Sequence, residues 1–139
     1  MITGLGHTAI RVTDLDAALD FYCRILGLRE AFRLDREGQP TPWIVYLWVA
    51  PGQFLELFPR ATGEAGPRGR VGYDHCCLVV DDLPATLREL AARGLAIEGE
   101  PVRGLDHNLQ FWLRDPDGNP VELMEIVAES PQAAADRPA

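Results

Sequence analysis

Apolar and polar residues alternate through residues 6–12, which is the pattern of a strand with one buried face. An apolar stripe at helical spacing then runs from Leu15 to Leu26. Asp14 is suited to cap the start of this helix, and Gly27 can adopt the left-handed conformation that ends it. Three runs rich in branched and aromatic residues predict strands at 28–34, 43–49 and 53–58. The first half therefore predicts the order strand, helix and three strands.

The second half repeats this order from a similar opening. His7 and His75 each stand at the start of an apolar strand, and Asp82 is suited to cap the helix that follows the second one. This helix is expected to extend to about Ala92 and to end before Gly94. The predicted strands of the second half are 73–80, 96–102, 109–114 and 120–126. A repeat of one supersecondary unit is therefore expected.

The repeat also predicts the domain organisation. A first βαβββ module covers 1–58, a linker rich in Gly, Pro and Arg covers 59–71, and a second module covers 72–127. A run of Asp, Pro, Gly and Asn at 115–119 predicts a tight turn between the last two strands. Residues 128–139 contain several Ala and Pro and are expected to form a disordered tail. The expected fold class is α+β, with two βαβββ modules in tandem.

The composition is that of an ordinary globular domain. The 139 residues are 47% apolar and 24% charged, and each half is too small to fold well alone. The net charge of −8 disfavours binding to nucleic acid or to acidic membranes. No apolar run approaches the roughly 20 residues of a membrane span, and the first residues predict no secretory leader. Three cysteines fit a reducing compartment, so we expect a cytoplasmic protein with a small-molecule substrate.

Each half places one histidine and one glutamate at matching positions. These pairs are His7 with Glu56 and His75 with Glu122. A single histidine or glutamate on a strand is more often structural than a ligand. However, a carboxylate on a mostly apolar strand is costly unless it is paired or bound to a cation. Because the same pair occurs twice, the sequence predicts that the four side chains bind one divalent cation.

Further motifs support a family resemblance over about residues 5–127. They are the His7-Thr8-x-x-Arg11-Val12-x-Asp14-Leu15 opening, Asp20-Phe21-Tyr22, Leu26-Gly27-Leu28, Glu56-Leu57, Asp74-His75, Pro101-Val102-Arg103-Gly104 and Asp115-Pro116-Asp117-Gly118 before Glu122-Leu123. With these motifs the chain resembles the vicinal oxygen chelate superfamily, which includes glyoxalases, bleomycin resistance proteins and dioxygenases. Within it, the chain is most similar to the glyoxalase I (lactoylglutathione lyase) type.

The resemblance implies a fold and a cofactor. In that family, paired βαβββ modules form an open, cup-shaped mixed sheet around a metal. The residues that match its ligands are His7, Glu56, His75 and Glu122. Ni²⁺ or Zn²⁺ is the expected ion, and Fe²⁺ or Mn²⁺ is the alternative.

The activity implied by the resemblance is that of a metal-dependent lyase or isomerase. Its substrate is a hemithioacetal or a related compound with vicinal oxygens. A proton moves between neighbouring carbons through an enediolate, whose charge the cation stabilises. The residue matching Glu122 acts as the base, and Glu56 is able to act on the opposite face.

Other functions on the same fold remain open. Ring-cleaving dioxygenases of the extradiol type generally use ligands that match His7, His75 and Glu122, which leaves open positions for oxygen chemistry. They lack an acid at the position of Glu56, which this chain retains. Small-molecule or antibiotic-binding relatives have lost the metal ligands. The presence of all four residues favours the glyoxalase type.

The candidate substrate-binding residues each have a structural alternative. Arg11 and Arg103 match basic residues that the family uses on glutathione carboxylates, but they could also be solvated or structural arginines. Phe58 stands where glyoxalase I usually has threonine, so Phe58 and Trp112 could line a pocket for an aromatic substrate or belong to the core. His107 could be a lid residue, an acid–base group or an exposed loop residue.

A homodimer is expected, since relatives commonly form twofold dimers with sites at the interface. The linker is long enough for the halves to pair within one chain or between chains. The more specific expectation is that His7 and Glu56 of one chain face His75 and Glu122 of the other.

Overall fold

The computed structural model describes residues 1–64, 66 and 71–136. Its contacts divide the chain into two compact units, Met1–Ala65 and Gly66–Ala139. Each unit contains one four-stranded mixed sheet and few helices, so the α+β class is confirmed. Part of the expected linker and the last residues of the expected tail lie outside the described residues. Within the described part of the chain, no helix has the length and hydropathy needed to cross a membrane.

The first unit has the predicted element order. Its elements are β1 (His7–Arg11), α1 (Leu15–Leu19), a π-helix (Asp20–Ile25), β2 (Arg29–Leu34), β3 (Ile44–Ala50) and β4 (Gln53–Phe58). The strands are arranged in the order β1-β4-β3-β2. β1 runs parallel to β4, and the other neighbours are antiparallel. The first and last strands of the unit are therefore adjacent.

The helical segment after β1 changes type partway. The Asp14 carboxylate accepts a backbone hydrogen bond in the first turn, as predicted for an N-cap. From Asp20 the turns are wider, and Leu26 N donates to Phe21 O, five residues earlier, at 2.9 Å. Gly27 follows with a φ of 82° and ends the segment as predicted. The apolar stripe does not distinguish the two helix types, because it is too short to separate their periods.

Large apolar side chains on one face of the first sheet form the core of this unit. The buried strand residues are Ile10, Val45, Leu47, Leu55 and Leu57, and the buried helix residues are Ala18, Phe21, Tyr22 and Ile25. Burial of each large side chain contributes about 1.5–3 kcal/mol. Because side chains alternate along a strand, Phe54, Glu56 and Phe58 lie on the opposite face of β4.

The second unit repeats the topology of the first. Its elements are β5 (Cys76–Val79), α2 (Leu83–Ala92), β6 (Val102–Arg103), β7 (Leu109–Arg114), β8 (Pro120–Glu125) and α3 (Pro131–Ala135). The strand order is β5-β8-β7-β6, with β5 parallel to β8. Both sheets therefore bring the last strand of the unit beside the first.

Both predicted ends of α2 are confirmed. The Asp82 carboxylate accepts a hydrogen bond from Ala85 N at 2.7 Å. Gly94 follows the helix with a φ of 98°. In addition, the Glu125 carboxylate of β8 accepts a hydrogen bond from Leu83 N at 2.8 Å. A carboxylate at this position stabilises the helix because it faces the positive end of the helix dipole.

Two predicted strands of the second half are shorter than expected. β5 begins at Cys76 instead of residue 73, so His75 lies just before the strand. The strand expected at 96–102 is reduced to Val102–Arg103. Gly99, with a φ of 89°, interrupts the extended backbone in this segment.

The prediction of a disordered tail at 128–139 is corrected by the structure, because part of this segment is helical. α3 spans Pro131–Ala135, and the Ser130 hydroxyl caps it by accepting a hydrogen bond from Ala133 N at 3.0 Å. The side-chain oxygen of Gln132 accepts a hydrogen bond from the buried Asn108 amide at 3.1 Å. A local cap and one tertiary contact thus order a segment whose composition predicts disorder.

The tight turn between β7 and β8 forms as predicted. Asp115 N donates to Asn119 O at 3.0 Å, and Gly118 has a φ of 83°. The buried Asp115 carboxylate accepts hydrogen bonds from Asp117 N, Asn119 N and Asn119 Nδ2. The turn therefore sets the register of the strand that carries Glu122.

Candidate functional site

The first unit brings the predicted ligands His7 and Glu56 together on one face of its sheet. In the parallel pair β1–β4, His7 lies beside Phe54 and Ala9 lies beside Glu56. His7 Nε2 is 3.5 Å from Glu56 Oε1. Glu56 is only 5% exposed, whereas the His7 side chain is 51% exposed. A buried carboxylate therefore faces an accessible imidazole.

Tyr46 is the cross-strand neighbour of Glu56 in the β3–β4 pair. Hydrogen bonding toward the Glu56 carboxylate, together with desolvation, raises the pKa of the Tyr46 hydroxyl. The phenol therefore remains protonated at neutral pH. Phe32 stacks on the Tyr46 ring with centroids 4.3 Å apart. Phe54 and His7 approach the same ring at centroid distances of 6.1 and 6.2 Å.

The second unit repeats the pairing with a shorter contact. His75 Nε2 is 3.1 Å from Glu122 Oε2, and His75 Nδ1 is 2.7 Å from Asp74 Oδ2. Trp112 is the cross-strand neighbour of Glu122, and its ring meets the His75 ring edge-on at a centroid distance of 4.7 Å. Glu122 is 6% exposed. Asp74 and Trp112 therefore orient the imidazole so that Nε2 faces the buried carboxylate.

Cys77 lies beside Glu122 in the parallel β5–β8 pair. Burial, reinforced by the Glu122 charge and by a hydrogen bond to that carboxylate, raises the pKa of the Cys77 thiol to about 12. The thiol is therefore protonated at neutral pH.

Both pairs have donor atoms that suit a divalent cation. Imidazole nitrogen and carboxylate oxygen are ligands of Zn²⁺ and related ions. The contact between Asp74 and His75 is also the kind of outer hydrogen bond that orients metal-binding histidines. In neither unit do the described residues form a group of three or more candidate ligands. Binding of one cation by both pairs together therefore stays a prediction.

Arg11 and Phe58, two predicted substrate contacts, are neighbours in the β1–β4 pair. The Arg11 guanidinium carbon lies 5.6 Å from the centroid of the Phe58 ring, which is a cation–π contact. The Trp43 ring meets the same phenylalanine edge-on at 6.0 Å. Since alternate residues of a strand share a face, Phe58 lies on the same face as Glu56. Their role in substrate binding stays a prediction.

The other predicted substrate contacts lie in different surroundings. Arg103 Nη1 donates to His107 O at 2.5 Å, within the loop between β6 and β7. His107 has a φ of 70°, and its N–H donates to Gly104 O at 3.0 Å. Trp112, in contrast, is 38% exposed and packs against His75. The structure therefore places Trp112 at a His–Glu pair, while Arg103 and His107 stabilise a loop.

Three residues at the pairs are absent from the ligands and substrate contacts predicted from the sequence. They are Tyr46, Asp74 and Cys77. Asp74 directly precedes His75, and a carboxylate next to a candidate ligand is a signal that the sequence contains. Tyr46 and Cys77 meet the glutamates only through strand register, which periodicity does not specify.

The family assignment rests on a match that spans most of the chain. A sequence profile of the Glyoxalase/Bleomycin resistance protein/Dioxygenase superfamily matches residues 4–123. This range contains both His–Glu pairs. The chain belongs to this superfamily.

Relatives of known name cover the same region. A probable lactoylglutathione lyase of Vibrio cholerae is 31% identical over 127 residues, which cover 86% of this chain and 88% of the relative. A lactoylglutathione lyase of Haemophilus influenzae is 31% identical over 124 residues, which cover 86% of this chain and 90% of the relative. This chain also matches the crystal structure of a lactoylglutathione lyase from Agrobacterium tumefaciens, with a sequence identity of 26% and a TM-score of 0.66. The match covers 89% of this chain and 94% of the chain in that structure. The fold of this chain is thus that of the glyoxalase superfamily.

Proposed function

We propose that this protein is a metal-dependent lyase or isomerase of the glyoxalase I type. The observation that carries the proposal is the recurrence, in each unit, of a buried glutamate facing a histidine. The proposed ligands of one divalent cation, Ni²⁺ or Zn²⁺, are His7, Glu56, His75 and Glu122. The similarity to lactoylglutathione lyases supports a hemithioacetal as the substrate.

Glu122 is the proposed proton carrier. Its carboxylate takes a proton from the substrate carbon that bears the hydroxyl and the sulfur, a proton is delivered to the neighbouring carbonyl carbon, and the hydroxyl proton passes to the oxygen of that second carbon. The substrate is thereby isomerised without a change in composition. A cation held by the pairs would stabilise the negative charge that develops on the two vicinal oxygens. Glu56 is the alternative carrier.

The residues around the pairs have supporting roles in this proposal. Asp74 holds the His75 ring in one orientation, and Trp112 limits its movement from the side. Arg11 offers a cation for a substrate carboxylate, while Phe58 offers an apolar surface beneath it. Arg103 is retained as a further candidate contact for an anionic group.

The test is metal analysis of the purified protein, followed by an activity assay. Chelator-treated protein would receive Ni²⁺, Zn²⁺ or Fe²⁺ and then the hemithioacetal of methylglyoxal and glutathione, with thioester formation followed by absorbance. We expect turnover only after an ion is restored. Oxygen uptake with catechols in the absence of thioester formation would instead assign a dioxygenase. Inactivity in both assays with tight binding of a small molecule would assign a binding protein.

A further inference from the structure

A groove lies along α2, between this helix and the segment that leads to β6. Its apolar lining consists of Pro84, Leu87, Ala91, Ile97 and Pro101. Its volume is about 410 Å³, within the range of about 300–1,000 Å³ that is typical of small-molecule sites. We call it the α2 groove. A ligand of the size of an amino acid fits a cavity at the lower end of this range.

Helical spacing and two bends in the backbone produce the walls of the α2 groove. Pro84, Leu87 and Ala91 follow one another at intervals of three and four residues, so they lie on the same side of α2. After the helix, Leu95 N donates to Leu90 O at 3.0 Å, which turns the chain back. Gly99, with a φ of 89°, bends the returning segment again. This segment therefore forms the second wall.

The α2 groove is separate from the His–Glu pair of the second unit. The Glu125 carboxylate of β8 accepts a hydrogen bond from Leu83 N, so α2 packs on the face of the sheet to which Glu125 points. Because neighbouring residues of a strand point to opposite faces, Glu122 lies on the other face. A ligand in the α2 groove therefore leaves the proposed reaction site unoccupied.

Two exposed side chains of opposite charge line the α2 groove, Arg88 and Glu100. At the end of α2, in contrast, Arg93 forms an ion pair with Glu89. In the part of the chain that the structure describes, no ion pair involves Arg88 or Glu100. The groove therefore offers one cation and one anion beside an apolar surface.

We propose that the α2 groove binds a free apolar α-amino acid, for which leucine is the probe. The Arg88 guanidinium binds the carboxylate of the ligand, and the Glu100 carboxylate accepts hydrogen bonds from its ammonium group. The hydrocarbon side chain packs against Leu87 and Ile97. A ligand that bears only one charge gains one of these contacts and is repelled by the other group. A zwitterion matches both charges.

The first test compares ligands that differ in one group. The ¹⁵N-labelled full chain is titrated with leucine, with 4-methylpentanoate, which lacks the ammonium, and with isoamylamine, which lacks the carboxylate. We expect the amide signals of Arg88, Ile97 and Gly99 to shift on addition of leucine, with a Kd below about 5 mM. Each analogue should bind at least about threefold more weakly. The absence of a saturable shift with leucine, or a smaller loss for either analogue, would overturn the proposal.

The second test removes each charge from the protein. Arg88→Gln and Glu100→Gln should each weaken leucine binding at least about threefold. Arg93→Gln and Glu98→Gln are matched controls, since neither residue lines the α2 groove, and they should stay within about twofold. The ¹⁵N spectrum of each variant without ligand would show that it is folded. Unchanged affinity in either groove variant, or an equal loss in its control, would place the leucine elsewhere and overturn the proposal.

Discussion

Each buried glutamate depends on a few neighbouring side chains that compensate for the loss of water. Glu56 lies beside Tyr46 and Glu122 lies beside Cys77, and each carboxylate raises the pKa of that neighbour. A buried carboxylate without such partners would be costly. Each also faces one imidazole, that of His7 or His75. These contacts offset part of the cost of burying two acidic residues on the sheet faces.

Replacement of the proposed proton carrier should separate metal binding from catalysis. Glu122→Gln keeps an oxygen that can coordinate a cation but removes the base. We expect metal to be retained and turnover to fall at least about 100-fold. Metal content and kcat would be measured for Glu122→Gln and for Glu89→Gln. Glu89 is exposed on α2, so this control variant should behave like the unsubstituted protein. Near-normal activity in Glu122→Gln would move proton transfer to another residue, with Glu56 tested next.

The orienting carboxylate next to His75 provides a second test. Asp74→Asn weakens the contact to Nδ1, which is 2.7 Å long. Because such outer partners orient metal-binding histidines, we expect metal affinity to fall about 10- to 100-fold. Chelator competition would measure it, and the exposed Asp81→Asn would serve as the control. Equal affinities in the two variants would show that Asp74 has no part in metal binding.

At the scale of elements, the hairpins position the glutamates. The β3–β4 hairpin sets Tyr46 opposite Glu56, and the β7–β8 hairpin sets Trp112 opposite Glu122. A shift of one residue in either register would move the glutamate to the other face of its sheet. The turns therefore influence the site, because they fix the register of the strands that carry the glutamates.

Loss of the Asp115 side chain should destabilise the second unit. This carboxylate accepts three hydrogen bonds in the turn between β7 and β8. Asp115→Ala leaves these donors without that partner, so we expect the free energy of unfolding to fall by about 1–3 kcal/mol. Urea unfolding would measure the loss, with the exposed Glu100→Ala as the control. Equal midpoints for the two variants would mean that the turn forms without the carboxylate.

At the scale of the whole molecule, the prediction concerns how His–Glu pairs are combined. Each unit supplies one pair, and we propose that a homodimer combines the first pair of one chain with the second pair of the other. His7→Ala and Glu122→Ala proteins would be mixed, unfolded and refolded together. Shared sites would regenerate one intact site in each heterodimer and restore part of the turnover. If native mass spectrometry shows heterodimers but the mixture is inactive, each site is built within a single chain.

The element order could be predicted because it depends on local chemistry. Alternating apolar residues, the capping side chains of Asp14 and Asp82, and the glycines at 27 and 94 act over a few neighbouring residues. The recurrence of His7 with Glu56 and of His75 with Glu122 was equally visible, since a repeat is a property of the sequence. Matching positions in two similar modules occupy matching places in two similar sheets.

Features that depend on distant residues were decided by the tertiary structure. α3 forms in the expected disordered tail because Gln132 meets the buried Asn108 amide. Tyr46 reaches Glu56 only because two antiparallel strands pair in one register among several that the apolar pattern allows. The sequence by itself therefore determined the repeated elements and the candidate ligands, whose signals are local or periodic. Only the tertiary structure determined which side chains lie beside the two carboxylates, because those contacts join residues that are separated along the chain.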